Sequence, residues 1–420
     1  MEVPPFMSER LTYISLFSCA GIGCYGFKQA GFDCVATSEL IERRLNIQKY
    51  NNKCKYDTGY ICGDITKNET KNELFNQIQL WKDNESISDI TVVVATPPCQ
   101  GMSSANTNKN DKDIIRNSLV IEAISIIEKI KPKFFVFENV PSFLKTNCID
   151  HLNNNVSELI ETTISKHLSK YYAINYSILN FAYYGSNSSR TRTIVIGVRN
   201  DININPKLLF PNNHIAPNLK QLIGNLPSLN FMGEISDTDI YHSFREYPKE
   251  MFDWIHNTPE GCSAFDNVMP EHRPHKIKEG NYVLNKRAMS TKYSRCFWNK
   301  IAPCVLTRND TVSGFSTIHP KDDRVFSIRE LMLMQTIPDE FNWTDKSFEE
   351  LNSLPLSDKK QYLKDNEINI RQCIGEAVPT IIFNQIANKI KTALINPTKL
   401  KHIPKCDFGT LNNKNLHKLF

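Results

Sequence analysis

The sequence predicts an α/β fold, in which the strands of an open sheet alternate with helices and a smaller, irregular domain follows. Three observations predict it. A strand-like run at residues 13–17 meets a glycine turn and then an apolar helix. A β-branched run at residues 91–95 ends at two consecutive prolines, and residues 134–137 form a fully apolar run. Strands buried on both faces of a parallel sheet give such short, continuous apolar runs.

The bulk composition bounds the class of protein. A chain of 420 residues has room for two or three domains, or for one large domain with an insertion. Its net charge of +5 is compatible with a polyanionic partner. The 12 cysteines show no paired C-x-x-C spacing, which favours free thiols over a disulfide framework or a zinc site. No run has the length of a membrane span and the first residues show no signal pattern, so we expect a cytoplasmic protein.

The first strand leads into a tight turn of small residues, from Ser18 to Gly23, and then into a helix that ends near Gly31. Such a turn lets backbone approach a ligand, and the helix beyond it offers free N–H groups. Strand–glycine–helix junctions are common in α/β folds, so this motif alone leaves both a cofactor site and a purely structural turn open.

Two carboxylates follow the next strands. Residues 34–38 predict a second strand that ends at Glu39, and residues 59–65 predict a short third strand that ends at Asp64. Glu39 is suited to accept hydrogen bonds from a ribose diol, and Asp64 from an adenine amino group. The alternatives are a solvated acid at a helix start and an ordinary turn residue.

Cys99 comes directly after Pro97 and Pro98, where the chain must leave the sheet because proline cannot donate to a ladder. Ligands of open α/β sheets bind beyond the carboxyl ends of strands. A reactive thiol and a buried, inert cysteine are equally open at this position. The polar segment that follows predicts a loop.

Glu138 follows the apolar strand at 134–137, which itself follows an amphipathic helix at 114–130. A carboxyl group beside so much apolar surface is a candidate proton donor, because burial favours its neutral form. It could equally start the next loop. A helix at 156–169 and strands at 172–179 and 193–198 come next.

Arg190 and Arg192 lie two residues apart in an extended segment, so their side chains are predicted to share one face. Paired guanidinium groups suit an anionic or carbonyl-bearing ligand, and they also suit a surface ion-pair patch.

The pattern changes at residues 200–300, where apolar periodicity weakens. Residues 271–300 contain eight basic residues, two acidic ones and interleaved aromatic residues. This combination favours contact with phosphates and bases, against the alternative of a solvated basic surface. Further on we expect a helix at 327–335, an exposed helical insertion at 345–366 and a final helix that opens at 375–379.

In their order along the chain, these motifs resemble the cytosine-C5 DNA methyltransferases, over residues 15–390. The resemblance rests on the following segments: Ser15-Leu16-Phe17 with Gly21, Pro97-Pro98-Cys99-Gln100, Phe137-Glu138-Asn139-Val140, Arg190-Thr191-Arg192, His319-Pro320 with Ser327-Ile328-Arg329-Glu330, and Gly375 to Pro379. It implies a Rossmann-like S-adenosylmethionine-dependent methyltransferase fold with a target-recognition domain. The implied domains are residues 1–199 (catalytic), 200–300 (target recognition), 301–395 (return to the catalytic domain) and 396–420 (basic tail).

The resemblance also implies residue roles. Cys99 would be the nucleophile, Glu138 would touch cytosine N3 and the exocyclic amine, and Arg192 would contact the O2 side with Arg190 beside it. Residues expected to hold S-adenosyl-L-methionine are Phe17, Ala20, Gly21, Ile22, Glu39, Asp64, Ile65, Pro97, Glu376 and Ala377. Residues expected to contact DNA are Gln100, Ser103, Arg287, Lys292, Arg295, Thr307 and Arg308. No metal is expected.

The implied activity is that of a DNA (cytosine-5-)-methyltransferase, which flips a cytosine out of double-stranded DNA and attacks its C6. We expect a bacterial modification enzyme that protects host DNA and acts as a monomer, with a separately encoded restriction endonuclease as a candidate partner. A tRNA cytosine methyltransferase and a non-catalytic DNA-binding relative are the alternatives. The chain departs from the family at Cys19 (often glycine), Ser188 (often glutamine) and Glu376 (usually asparagine).

Overall fold

The computed structural model describes residues 10–98, 117–286 and 291–396. Within these ranges the chain forms two compact units. The sheet unit contains residues 10–184, 191–213 and 378–396, and the second unit contains residues 185–190 and 214–377. These limits differ from the boundaries at 199 and 300 that the sequence suggested. The assignment of a target-recognition domain stays a prediction.

The sheet unit is built on one seven-stranded sheet. Its strands are β1 (Thr12–Leu16), β2 (Asp33–Glu39), β3 (Tyr60–Cys62), β4 (Val92–Ala95), β5 (Phe134–Asn139), β8 (Tyr172–Asn180) and β9 (Thr191–Arg199). Their order in the sheet is β3-β2-β1-β4-β5-β9-β8. The first five are parallel, and β9 is antiparallel to both β5 and β8. A small hairpin, β6 (Asn147–Asp150) with β7 (Val156–Leu159), stands outside the sheet.

Alternate strand residues point to opposite faces of the sheet, so both faces carry apolar side chains that helices cover. The helices of this unit are α1 (Ile22–Gln29), α2 (Glu42–Tyr50), α3 (Asn68–Glu85), α4 (Leu119–Ile130), α5 (Ile160–Leu168) and α11 (Thr380–Ile395). Ile14 and Val93 belong to a buried cluster with residues of α3, α4 and α5. Tyr13 and Val94 belong to another with residues of α1 and α11. The predicted α/β class is confirmed.

The final helix packs on the first one. At Gly26 an added Cβ would lie 2.4 Å from both the Asn384 nitrogen and the Thr380 carbonyl oxygen, so only glycine permits this approach. Thr380 Oγ1 donates to the Ile22 carbonyl (3.1 Å), and Asn384 Nδ2 donates to the Gly26 carbonyl (3.2 Å). The final helix therefore packs on the helix that follows β1.

The second unit has less regular structure, as the weak apolar periodicity predicted. Its helices are α6 (Leu219–Ile223), α7 (Lys249–His256), α8 (Ile328–Met334), α9 (Phe348–Asn352) and α10 (Leu356–Glu376), and its strands are β10 (His275–Lys278) and β11 (Asn281–Leu284). Ser327 caps α8, since its hydroxyl accepts from the Glu330 N–H while Glu330 accepts from the Ser327 N–H.

Several predicted boundaries need correction. Glu138 lies inside β5 and does not start a loop, because β9 continues to pair with it. Residues 156–159 form a strand of the small hairpin before α5 begins. Gly375 and Glu376 form the end of α10, whereas the final helix starts only at Thr380. The insertion at 345–366 is helical but not fully exposed, since it buries Leu351 and Leu363. The first residues of the predicted 114–130 helix lie outside the described ranges.

None of the helices in the described part of the chain combines the length and the apolar character needed to cross a membrane.

Candidate active site

The candidate site lies where the strand order reverses. β1 has β2 on one side and β4 on the other, and Leu16 at the end of β1 pairs with Ala95 at the end of β4. Ala95 in turn pairs with Phe137 of β5. Connections leave such a switch point in opposite directions and open a crevice at the carboxyl edge of the sheet. The structure therefore brings together the segments after β1, β4 and β5.

The turn after β1 uses left-handed backbone at three positions. Phe17, Cys19 and Gly21 have φ angles of 57°, 48° and 77°. Such angles cost little at glycine but are strained at residues with a Cβ, so surrounding contacts must hold Phe17 and Cys19. Ala20 is buried and Ile22 begins α1, so the N-terminus of that helix faces the turn.

Glu39, at the end of β2, is one of those contacts. Its Oε2 accepts from the Cys19 N–H (2.7 Å) and its Oε1 accepts from the Ile41 N–H (3.1 Å). Glu39 is buried, and each carboxylate oxygen can accept a further bond. The departure at Cys19 is accommodated because the backbone, not the thiol, builds this contact.

Gln48 and Lys53 brace the same turn, and sequence reasoning missed both. Gln48 Nε2 donates to Ser18 Oγ (2.8 Å) and to the Cys19 carbonyl (2.6 Å). Its Oε1 accepts from Lys53 Nζ (2.7 Å) and from Thr37 Oγ1 (2.7 Å). A Cβ on Gly21 would lie 2.9 Å from Gln48 Cγ. No local pattern in the sequence of α2 marks Gln48 for this role.

Asp64 follows β3 and is exposed. Its Oδ1 accepts from the backbone N–H and the hydroxyl of Thr66 (2.9 and 2.8 Å), which fixes the carboxyl group in a short turn. Ile65 is buried beside it. This arrangement is compatible with an ordinary turn residue and also with a contact between Asp64 and an adenine amino group.

The segment that leads to Cys99 is tethered on both sides. Thr96 Oγ1 donates to the Phe17 carbonyl (2.9 Å), and Asn139 Nδ2 donates to the Pro97 carbonyl (2.9 Å). Asn139 was part of a recognised motif, yet its role as a tether needed the structure. Cys99, Gln100 and Ser103 themselves lie outside the described residues.

Glu138 and Arg192 form an ion pair between β5 and β9. Arg192 Nε lies 3.2 Å from Glu138 Oε1, and only 16% and 9% of the two side chains are exposed. Glu138 pairs with Ile194 in the ladder, so Arg192 is its diagonal neighbour on the same face. Two predicted site residues are thus in direct contact.

Arg190 has a different environment from Arg192. It belongs to the second unit, where its guanidinium is buried and donates to the carbonyls of Val305 (3.3 Å), Gly375 (3.0 Å) and Glu376 (3.2 Å). These contacts give it a structural role, and its catalytic role stays a prediction. The Glu376 side chain is exposed and Ala377 is buried, and their contact with a cofactor likewise stays a prediction.

The predicted DNA contacts are not alike. Arg295 is buried and donates to the carbonyls of Thr258, Ile255, His319, Lys321 and Asp322 and to the Asp323 carboxylate. The assignment of Arg295 to phosphate contact is therefore corrected to a structural one. Thr307 and Arg308 are exposed and Lys292 is half-buried, whereas Arg287 lies outside the described residues.

His319 and Glu330, which the resemblance included, belong to a buried network of the second unit. Arg324 donates to both oxygens of Glu330 (2.8 Å each), and His319 Nδ1 accepts from the Asp322 N–H (2.8 Å). Burial lowers the pKa of His319 to about 4. The Arg324 guanidinium holds the pKa of Glu330 well below its usual range despite burial.

The family model described as C-5 cytosine-specific DNA methylase matches residues 11–392.

The chain belongs to this family.

Its relatives include the Type II methyltransferase M1.HgaI of Avibacterium volantium, which is 31% identical over 91% of this chain and 99% of the relative. The Type II methyltransferase M.DdeI of Desulfomicrobium norvegicum is 26% identical over 90% and 88%. Among solved structures, a DNA modification methyltransferase encoded within an E. coli prophage superposes with a TM-score of 0.61 at 18% identity, over 91% of this chain and 99% of that one.

The predicted family, the Rossmann-like methyltransferase fold and the activity of a DNA (cytosine-5-)-methyltransferase are confirmed. Membership of the family implies S-adenosylmethionine as the methyl donor. Methyl transfer in this family proceeds through a covalent adduct between an enzyme thiol and the base.

Proposed function

We propose that this chain methylates C5 of a flipped cytosine in a specific duplex sequence. Cys99 acts as the nucleophile, Glu138 as the acid, and Arg192 as the cation that pairs with Glu138 and contacts the O2 side of the base. The observation that carries this proposal is the meeting of three segments at the switch point. Asn139 tethers Pro97, two residues before Cys99, while its neighbour Glu138 pairs with Arg192.

The turn after β1 fits the adenosine and methionine parts of S-adenosylmethionine. A helix N-terminus, left-handed backbone and a buried carboxylate at the end of β2 are the features that bind nucleosides in such folds. Phe17, Gly21 and Glu39 would hold the cofactor, with Asp64 at its adenine. The cofactor supplies an electrophilic methyl group on a sulfonium.

The protein groups activate the base. Cytosine C5 is a poor nucleophile until a thiolate adds to C6, and this addition forms a C–S bond and places negative charge on the ring. Glu138 donates a proton or hydrogen bond at N3, and Arg192 stabilises charge that develops at O2. After methyl transfer, a base takes the C5 proton, the electron pair of the C5–H bond re-forms the C5=C6 double bond, and the C6–S bond breaks to release the Cys99 thiolate.

A duplex carrying 5-fluorocytosine tests the nucleophile, because fluorine at C5 cannot leave as a proton. We expect a covalent complex with the wild-type protein, visible by intact mass, and none with Cys99→Ala. Cys262→Ala, which removes an exposed thiol of the second unit, serves as control and should still form the complex. Adduct formation by Cys99→Ala would refute the assignment.

We further propose a bacterial, cytoplasmic modification enzyme of a Type II restriction system, because relatives over nearly the whole chain carry that description. Bisulfite sequencing of DNA from cells that express the protein would identify the target sequence. Methylation confined to one short motif is expected. Methylation without sequence preference would argue against a modification role.

A further inference from the structure

The second unit carries a two-stranded antiparallel ribbon, β10 and β11, which we name the 275–284 ribbon. His275 pairs with Leu284, and Lys278 pairs with Asn281. Every strand residue except the half-buried His275 is exposed. The turn residues Glu279 and Gly280 both have positive φ angles, 49° and 78°, as two-residue hairpin turns require. A Cβ added at Gly280 would meet nothing within 4 Å, so the tip stands in open space.

The ribbon is anchored at its other end. The Asn285 N–H donates to the Pro274 carbonyl (2.8 Å), and His275 Nδ1 lies 2.8 Å from the Arg273 carbonyl oxygen. The His275 ring packs edge-on against Trp254, with centroids 5.5 Å apart. An isolated hairpin is only marginally stable in water, so this base orders a ribbon whose tip projects.

The two faces of the ribbon differ in chemistry. Cross-strand partners share a face, so Lys276, Lys278 and Asn281 lie together with Val283. The opposite face carries Ile277, Leu284 and Tyr282, whose ring packs edge-on against His275 with centroids 4.6 Å apart. Residues 275–286 contain three lysines and one glutamate. Lysine on an edge strand also prevents aggregation. Protection from aggregation by the lysines alone does not explain why the side chains of Ile277 and Tyr282, on the other face, are left 67% and 53% exposed.

We propose that the 275–284 ribbon enters the major groove of the target duplex and that Lys276, Lys278 and Asn281 contact base edges there. This inference rests on the DNA methyltransferase function proposed above. The major groove is about 12 Å wide and admits a two-stranded ribbon. Lys276 and Lys278 are about 6.8 Å apart along their strand, which spans about two base-pair steps. Lysine donates to guanine O6 and N7, and asparagine pairs with adenine N6 and N7.

The experiment measures sequence preference. Wild-type protein methylates a library of duplexes randomised around cytosine, bisulfite sequencing gives its preferred sequence, and Lys276→Gln/Lys278→Gln is then compared on the same library. We expect duplexes that differ from the preferred one at one or two positions to gain about 5- to 150-fold in relative methylation, because base contacts are lost. Lys360→Gln/Lys364→Gln removes the same charge from exposed positions of α10 and should keep the preference.

An unchanged preference in the ribbon variant overturns the proposal. So does a uniform loss over all duplexes with a weaker salt dependence, since that result assigns the lysines to phosphates. If the double variant melts at a lower temperature, Asn281→Ala tests the same face by deleting one exposed amide. A wild-type protein that methylates no cytosine at C5 would instead refute the proposed function.

Discussion

Arg192 Nε lies 3.2 Å from Glu138 Oε1, and this contact joins two antiparallel strands at the candidate site. The partners are 54 residues apart in sequence, yet they are diagonal neighbours in the ladder between β5 and β9. The guanidinium fixes the position of a largely buried carboxyl group. In the proposed mechanism, the pair sets the position from which Glu138 meets the base.

Replacement of Glu138 by glutamine should reduce kcat by about 10²- to 10⁴-fold, because the amide cannot transfer a proton to N3. Single-turnover methylation of the preferred duplex measures this effect, with cofactor and DNA affinities measured separately. Arg192→Lys keeps the charge but loses the planar fork, and we expect an intermediate loss. Arg199→Lys, at the other end of β9 and paired with Asp89, is the matched control and should retain activity. Wild-type kcat in Glu138→Gln would exclude the proposed acid role.

Gln48 should act through the turn that it braces. Gln48→Glu keeps acceptors for Lys53 and Thr37 but loses both donors to Ser18 and Cys19. We expect the dissociation constant for S-adenosylmethionine to rise by about 5- to 30-fold, since each of the two lost hydrogen bonds costs about 1 kcal/mol. Two quantities should change little: the kcat measured at saturating cofactor, and the affinity for DNA. Isothermal titration and steady-state kinetics separate these quantities, and a loss of kcat with unchanged cofactor affinity would contradict a positioning role.

His319 predicts how the stability of the second unit depends on pH. Its pKa in the folded state is about 4, chiefly because burial disfavours the charged imidazolium. The carboxylates of Glu330 and Asp322 raise this pKa, whereas the guanidinium groups of Arg324 and Arg295 lower it. The unfolded state binds a proton near pH 6.5, so the folded state is favoured above that value and loses stability as pH falls towards 4, by up to about 3 kcal/mol.

Urea unfolding at several pH values between 7 and 4 tests this dependence by comparing wild type with His319→Asn. The asparagine oxygen can accept the Asp322 N–H without titrating, so the variant should lose less stability over this range. Carboxyl groups outside this network titrate equally in both proteins, so the difference between the two curves reports His319 together with its coupling to Glu330 and Asp322. Parallel curves would show that His319 does not carry the effect.

Gly26 should resist substitution. An added Cβ would lie 2.4 Å from backbone atoms of α11 on two residues, and overpacking of this kind costs about 1 to 3 kcal/mol or more. Gly26→Ala is therefore expected to lower the free energy of unfolding, although alanine favours helices. Gln29→Ala, exposed on the same helix, should be neutral or stabilising. Chemical denaturation of both variants checks this, and an equally stable Gly26→Ala would mean that α1 and α11 can separate without cost.

By itself, the sequence determined the seven strands of the main sheet, their order along the chain and the residues presented at their ends. Strand periodicity, prolines and glycine turns act over a few residues, so local patterns are enough for this. Cys99, Glu138 and Glu39 were each predicted at a strand end in this way, and the family resemblance then implied their roles as nucleophile, acid and cofactor carboxylate. Strand ends were misplaced by one or two residues at β5, where pairing with β9 extends the ladder through Glu138.

Only the tertiary structure decided which of these residues meet and which basic residues are available. Arg295 and the ribbon lysines have the same character in sequence, yet Arg295 is buried among carbonyl groups while Lys276 and Lys278 are exposed. Gln48 and Asn139 act on segments 29 and 42 residues away. Such contacts depend on which elements pack together, and local patterns carry no information about partners at that distance.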